Sequence, residues 1–255
     1  MSLSALEAIR IVLVGTSHPG NIGAVARAMW TMGLHRLALV APVEFPCAEA
    51  TARAAGADEV LYRASVHAEL IDAIGDCTLV IGTTARERRL PFPEAMPRAA
   101  AARAVEAALA GTEVALVFGR ERTGLTNEEL DLCHLHVTIP TNPAFRSLNL
   151  ASAVQVVSYE CRLAALDAEV TAVSAGAVDA VHDPDPLASA LDLDRLQEHL
   201  EAALVEIDYL DPDAPRLLRR RLRRLVSRLG LRTSELAILR GVLAAAQRQA
   251  RLARR

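Results

Sequence analysis

Three short stretches carry side chains able to orient a substrate and stabilise charge. The first, Gly15-Thr16-Ser17-His18-Pro19-Gly20-Asn21-Ile22-Gly23, delivers Asn21 and then Arg27. The second, Gly119-Arg120-Glu121-Arg122-Thr123-Gly124, carries Glu121, and the third crowds Asn142, Arg146, Ser147 and Asn149 onto one loop after Ile139. Gly15 and Gly20 have the spacing of a phosphate-binding P-loop, but Asn21 and Ile22 stand where Lys and Ser/Thr would meet phosphate and magnesium. The glycines also miss the GxGxxG spacing of a dinucleotide loop. Cys133, His134 and His136 lie close enough to suggest a metal, against which stands the plainer reading of two histidines on the solvated face of a strand. The four cysteines form no CxxC pair, which argues against a zinc knuckle or a disulfide framework.

Alternating strands and helices must position these stretches. Ile9–Val14 is a continuous run rich in β-branched residues, the mark of a strand buried on both faces of a parallel sheet. Further strands are expected at Arg36–Ala41, Cys77–Thr83, Glu113–Phe118 and up to Ile139, where Leu135, Val137 and Ile139 alternate with His134, His136 and Thr138. Helices are expected through Met32 and over 47–55, 65–75, 94–109 and 126–132, giving a parallel sheet covered on both faces. In the first helix Ile22, Ala26 and Met29 pack inward, leaving Arg27 and Trp30 as neighbours on another side. Pro140 and Pro143 force an irregular loop, after which Leu150, Val154, Val157 and Cys161 mark a helix with Ser147 as a plausible N-cap. Three strands thus end in loops where glycine or proline breaks the pattern, at Gly82, Gly119 and Pro143, and glycine lets a ligand approach the backbone.

A catalytic domain is expected over 1–166, a small, acidic, proline-bearing linker over 167–189, and a purely helical domain over 190–255. The helices of the last fall near 190–210, 216–229 and 234–252, with Leu218, Leu222, Leu225 and Leu229 as an apolar seam in the second. The net charge of −3 hides an asymmetry: residues 166–215 carry −12, residues 216–255 carry +12, and every basic residue is Arg. So basic a tail suits a polyanion partner, although acidic and basic helices neutralising each other would look the same. No apolar run approaches the ~20 residues of a membrane span and no secretory signal is visible, so a cytoplasmic protein without membrane contact is expected.

The order Asn21-x-Gly23-x-x-x-Arg27, Phe118-Gly119-x-Glu121-x-x-Gly124-Leu125, Ser147-Leu148-Asn149-Leu150-Ala151 resembles the three motifs of the SPOUT-class (TrmH/SpoU-type) RNA 2′-O-ribose methyltransferases. The flanking text TSHPGNIGAVARAM, LVFGRERTGLTNEEL and NPAFRSLNLASAVQVVSYE is similar to the bacterial TrmJ group. The resemblance implies a deep trefoil knot at the carboxyl end of the sheet, an exception to the rule against threading. It further implies S-adenosylmethionine held by Gly82, Thr83, Thr84, Ala85, Gly119, Ile139, Arg146, Ser147, Leu148 and Asn149, and a homodimer whose sites use both chains. The substrate would be the ribose of cytidine or uridine at tRNA position 32; ribosomal RNA or another tRNA position is the alternative. Arg27, Asn21, Ser147 and Glu121 would be the catalytic set, and no metal is needed. No His or Asp occupies a motif position as an evident base. The resemblance gives the base's task to Arg27; a fixed cation beside the ribose could instead stabilise the developing oxyanion and fix the sugar. In the tail, Arg219, Arg220, Arg223, Arg224 and Arg228 are the expected contacts to RNA phosphates.

Overall fold

The structure, a computed structural model, describes residues 4–85, 92–175, 184–215 and 217–253. Two compact units result, Met1–Val181 and His182–Arg255. The first runs α1 (Ser4–Glu7), β1 (Ile9–Val14), α2 (Pro19–Met32), β2 (Arg36–Val40), α3 (Ala48–Ala54), α4 (Asp58–Tyr62), β3 (Ser65–His67), α5 (Leu70–Ile74) and β4 (Leu79–Thr83). It continues with β5 (Glu94–Ala95), α6 (Pro97–Leu109), β6 (Val114–Phe118), α7 (Asn127–Asp131), β7 (Leu135–Val137) and α8 (Leu150–Ala175).

All described strand pairs are parallel, in the order β3-β2-β1-β6-β4-β7-β5. The apolar runs of β1, β4 and β6 owe their continuity to burial on both faces: Ile9, Ile11, Val80, Ile81, Val114 and Phe118 are all buried. With few aromatics available, the core is mostly Ala, Val, Leu and Ile, Phe118 being its largest fully buried side chain. The strand order matters most for function. It sets the carboxyl ends of β1, β6, β4 and β7 side by side, so the loops after them become neighbours.

Several expectations are corrected. Residues 65–75 are not one helix: Ser65, Val66 and His67 pair with Ala38, Leu39 and Val40 as β3, and the helix starts only at Leu70. Likewise β5 precedes Pro97, which opens α6 at a position needing no N–H. The expected solvated face is not found: β7 lies between β4 and β5 and is buried at all three positions, His136 among them, and His134 just before it is half-buried. His136 is fully buried and stacks on Phe92 with ring centroids 4.2 Å apart, while the His134 Nδ1 accepts the Val80 N–H at 2.8 Å. Burial, aided by the charge of Arg103, lowers the His134 pKa to about 4. Cys133 Sγ turns instead to the Glu129 carbonyl, so the three side chains face separate partners. Helix α8 runs to Ala175, well past the expected end near Asp167. Arg86 and residues 176–183 of the expected linker lie outside the described residues. No described helix is long and apolar enough to cross a membrane.

The second unit holds α9 (Ala190–Glu206), α10 (Leu218–Arg228) and α11 (Thr233–Ala253) around Ala188, Leu193, Leu196, Val226, Leu231 and Leu236. Residues 185–187 belong to this unit, since the Asp185 carboxylate accepts from Ser234 N at 2.9 Å and Leu187 bridges to Arg232. The leucine seam is overturned. Leu225 and Leu229 are about half exposed, and α10 instead buries Val226 and Arg224. The alternation of arginine and leucine around the helix concealed which side meets α9.

Candidate active site

Each stretch singled out in the sequence ends a strand at the same edge of the sheet. After β1, His18 caps α2, its Nδ1 accepting the Gly20 N–H at 3.2 Å, and Pro19 supplies the first turn. Gly23 faces α3 rather than a ligand: a Cβ there would lie 2.0 Å from the Ala50 carbonyl oxygen. After β6, the Gly124 N–H closes a tight turn onto the Arg120 carbonyl at 2.8 Å, Gly124 taking φ 69°. A Cβ on Gly119 would lie 2.2 Å from the Gly124 carbonyl carbon and the Leu125 nitrogen, so this turn requires glycine at 119. Thr126 and Glu129 then form a capping box that starts α7.

The Glu121 carboxylate is the hub of the edge. It accepts the Ser17 N–H at 3.1 Å, the Ser17 hydroxyl at 3.0 Å, the His18 N–H at 3.2 Å and Asn21 Nδ2 at 3.0 Å. Burial pushes its pKa up, but hydrogen bonds from Asn21 and from the backbone of Glu121, Ser17 and His18 outweigh that and hold it down at about 2. Since a carboxylate only accepts, Asn21 must turn its NH2 toward Glu121 and its oxygen away. That oxygen accepts Asn149 Nδ2 at 3.1 Å, and Asn149 Oδ1 accepts the Ala151 N–H at 2.9 Å. Asn149, not Ser147, therefore caps α8. One directional chain, Asn149 to Asn21 to Glu121, ties all three stretches together.

Beside this chain opens a cavity of about 570 Å3 at the ends of β4, β6 and β7. Of the residues expected around a cofactor, Thr83, Thr84, Ala85, Gly119, Ile139, Arg146, Ser147 and Leu148 line it. Gly82 and Asn149 do not. A Cβ on Gly82 would meet Cys133 Sγ at 2.6 Å, so that glycine serves the packing of α7 on the sheet. Phe118, Leu125 and Leu150, motif residues not expected around the cofactor, add apolar wall together with Val137 and Ala153, which lie outside the motifs. Of the expected catalytic set, Glu121 and Ser147 reach the cavity. Arg27 is exposed on α2 and, among the described residues, has no hydrogen bond or ion pair. Arg120 is a contributor the sequence did not mark: its side chain lies over Gly15, where a Cβ would come within 2.8 Å of Nε, and its Nη1 pairs with Glu129 at 3.0 Å.

The arginines of α10 divide. Arg223 pairs with Asp194 at 2.7 Å and Arg219 with Glu201 at 3.3 Å, so the acidic and basic segments do compensate in part. Arg224 is buried, contrary to its expected display to a phosphate, and its carbonyl accepts Arg228 Nε at 3.1 Å. Arg220 is half-buried, whereas Arg219, Arg221 and Arg228 are exposed.

A parallel sheet whose loops after β4, β6 and β7 line one cavity, with the loop after β1 tied to them through Glu121, is the build of a SpoU-type methylase. Residues 8–159 match the SpoU rRNA Methylase family and residues 191–255 match the tRNA methyltransferase TrmJ, C-terminal domain. The chain is 49% identical to the tRNA (cytidine/uridine/adenosine-2′-O-)-methyltransferase TrmJ of Pseudomonas aeruginosa, covering 96% of each. It is 47% identical to the tRNA (cytidine/uridine-2′-O-)-methyltransferase TrmJ of Pectobacterium atrosepticum, over 95% of this chain and 98% of that one. The crystal structure of TrmJ from Z. mobilis superimposes with a TM-score of 0.79 at 35% identity, covering 92% of this chain and 97% of that one. The chain belongs to the SpoU methylase family and, within it, to the TrmJ group.

Proposed function

We propose that the protein transfers a methyl group from S-adenosylmethionine to the ribose 2′-hydroxyl of cytidine or uridine in tRNA, at position 32 of the anticodon loop. The observation that carries the reading is the Asn149–Asn21–Glu121 chain, which fastens three motif loops beside a single cavity. The TrmJ relatives, similar along nearly the whole chain, support the same activity.

The cavity fits the cofactor. Its volume lies in the range of about 300–1,000 Å3 usual for small-molecule sites, and apolar walls at Phe118, Val137 and Leu150 suit an adenine ring. When bound, S-adenosylmethionine supplies an electrophilic methyl on a sulfonium, so no metal is required for the displacement. Thr83, Thr84, Gly119, Ile139 and Leu148 would hold it, with Ser147 and Arg146 at the rim. The protein's own task is alignment, worth roughly 7–11 kcal/mol when both reactants are oriented. The Arg27 guanidinium stabilises the developing oxyanion as the hydroxyl gives its proton to solvent water, and it fixes the sugar beside it. Asn21 and Glu121 act through position, since their polar atoms are committed to each other and to neighbouring loops.

Arg27 does not line the cavity of its own chain, which favours a site completed by a second copy. The exposed Val156, Tyr159, Leu166 and Val170, spaced three, seven and four residues apart along one stripe of α8, support that homodimer. The return of the chain from β7 through residues 138–149 into α8, beside the turn after β6, supports a trefoil knot at this edge. Exposed arginines of the second unit, Arg219 and Arg228 among them, supply phosphate contacts, and the work is placed in the cytoplasm, where tRNA is found.

Incubation with labelled S-adenosylmethionine and unmodified tRNA or ribosomal RNA tests the reading. Label is expected in tRNA as an alkali-resistant dinucleotide. Label in ribosomal RNA alone, or on a base, overturns it.

A further inference from the structure

Trp30 is the sole tryptophan of the chain and is 43% exposed. It lies on the last turn of α2, three residues beyond Arg27, so the two side chains are neighbours on one flank of the helix. The Gly33 N–H closes onto the Trp30 carbonyl at 3.1 Å in a left-handed cap, fixing the backbone that carries the indole. The His35 ring meets the indole edgewise, centroids 5.0 Å apart and planes at 75°, steadying it without sandwiching it. Trp30, His35, Glu59, Val60 and Arg63 together line a shallow notch separate from the cofactor cavity. Arg63 stands at its rim, 69% exposed, and its Nε pairs with Glu59 at 2.7 Å, which neutralises the one carboxylate lining the notch.

The chemistry of this notch selects its occupant. An apolar peptide or a second copy would need a wider apolar face than one indole and Val60 provide. A nucleobase needs an aromatic surface to stack on and cations to receive its phosphates, and here Arg63 lines the notch with the indole while Arg27 lies about one turn before it on α2. Single-stranded loops are also where bases are free to splay from their neighbours. We propose that the notch binds an unpaired base of the RNA substrate, next to the nucleotide whose ribose is methylated, by stacking it on Trp30. This rests on the methyl-transfer reading above, because Arg27 marks the reacting ribose. It adds a substrate-positioning residue that none of the three motifs contains.

A lone tryptophan makes the test direct, since its emission reports this notch and nothing else. The full-length protein is titrated with unmodified tRNA and with the isolated anticodon stem–loop, following emission and mobility shift in parallel. Both RNAs are expected to quench the emission with the same midpoint as binding. Trp30→Leu should raise KM for tRNA about tenfold while S-adenosylmethionine affinity by calorimetry is kept, and Trp30→Phe should stay within about threefold of wild type. Unchanged emission at saturating tRNA overturns the proposal, as does an unchanged KM in Trp30→Leu. An emission shift that follows protein concentration without RNA also overturns it, by showing that a second copy covers the indole. Quenching by unmodified tRNA that acquires no methyl group in the presence of S-adenosylmethionine would uphold the base site and remove the methyl-transfer reading instead.

Discussion

Replacing Glu121 with Gln probes the hub that joins the loops. The carboxylate receives hydrogen bonds from Ser17, His18 and Asn21, and glutamine would set an NH2 against at least one of those donors. A carboxyl held at about 2 instead of 4.5 corresponds to at most ~3 kcal/mol, and screening by water at this partly open loop reduces that to about 1–2 kcal/mol. The folded pKa is depressed, so the stabilisation is complete above the unfolded value near 4.5 and is lost as pH falls toward 2. Urea denaturation of wild type and Glu121→Gln at a series of pH values should therefore show a constant gap above about pH 5 that narrows on acidification. With Asn21 no longer held by the carboxylate, the acceptor that Asn149 uses loses its fixed orientation, and turnover should drop about a hundredfold through misalignment alone. A gap absent at pH 7, or one that widens as pH falls, would refute the hub.

Gly119→Ala forces a Cβ into the backbone of Gly124 and Leu125, so calorimetry should show S-adenosylmethionine affinity falling by at least about tenfold in a protein that remains folded. Arg27→Ala should lower kcat by about two to three orders of magnitude with cofactor affinity nearly intact, and Arg27→Lys should also fail because a point charge does not reproduce the planar fork. His134 is held neutral by burial, so wild type should lose stability as pH falls from 6.5 toward 4; His134→Asn, which keeps an acceptor for the Val80 N–H, should lose roughly 2 kcal/mol less. A chain ending at residue 181 should keep its fold and bind cofactor but lose most tRNA affinity. Its salt dependence should flatten by about 0.7 per lost phosphate contact in a titration against log salt.

What could be read from the sequence follows what is local. Ile9–Val14 and Val114–Phe118 declare themselves as strands because burial on both faces demands unbroken apolar runs. The motif positions show through because Gly119 and Gly124 answer to a single tight turn. Long-range packing was hidden. Ser65–His67 is too short and polar to announce β3, and only pairing with Ala38–Val40 makes it a strand. Gly82 looked like room for a ligand and proved to be room for Cys133; His136 looked solvated and proved fully buried beneath Phe92. In α10, arginine at most positions masked the buried side, and Arg224 rather than Leu225 faces inward. The link from Asn149 through Asn21 to Glu121 spans 128 and 100 residues of chain, and no spacing rule reveals it.

The central claim is the identity of the methylated atom. Ribose-methylation mapping at nucleotide resolution, on tRNA from a strain lacking this protein and from the same strain carrying wild type or Arg27→Ala, addresses it most directly. The account predicts a 2′-O-methyl group at cytidine or uridine 32 that is restored by wild type and not by Arg27→Ala. A position-32 ribose methylated without the protein, or restored equally by Arg27→Ala, would contradict it.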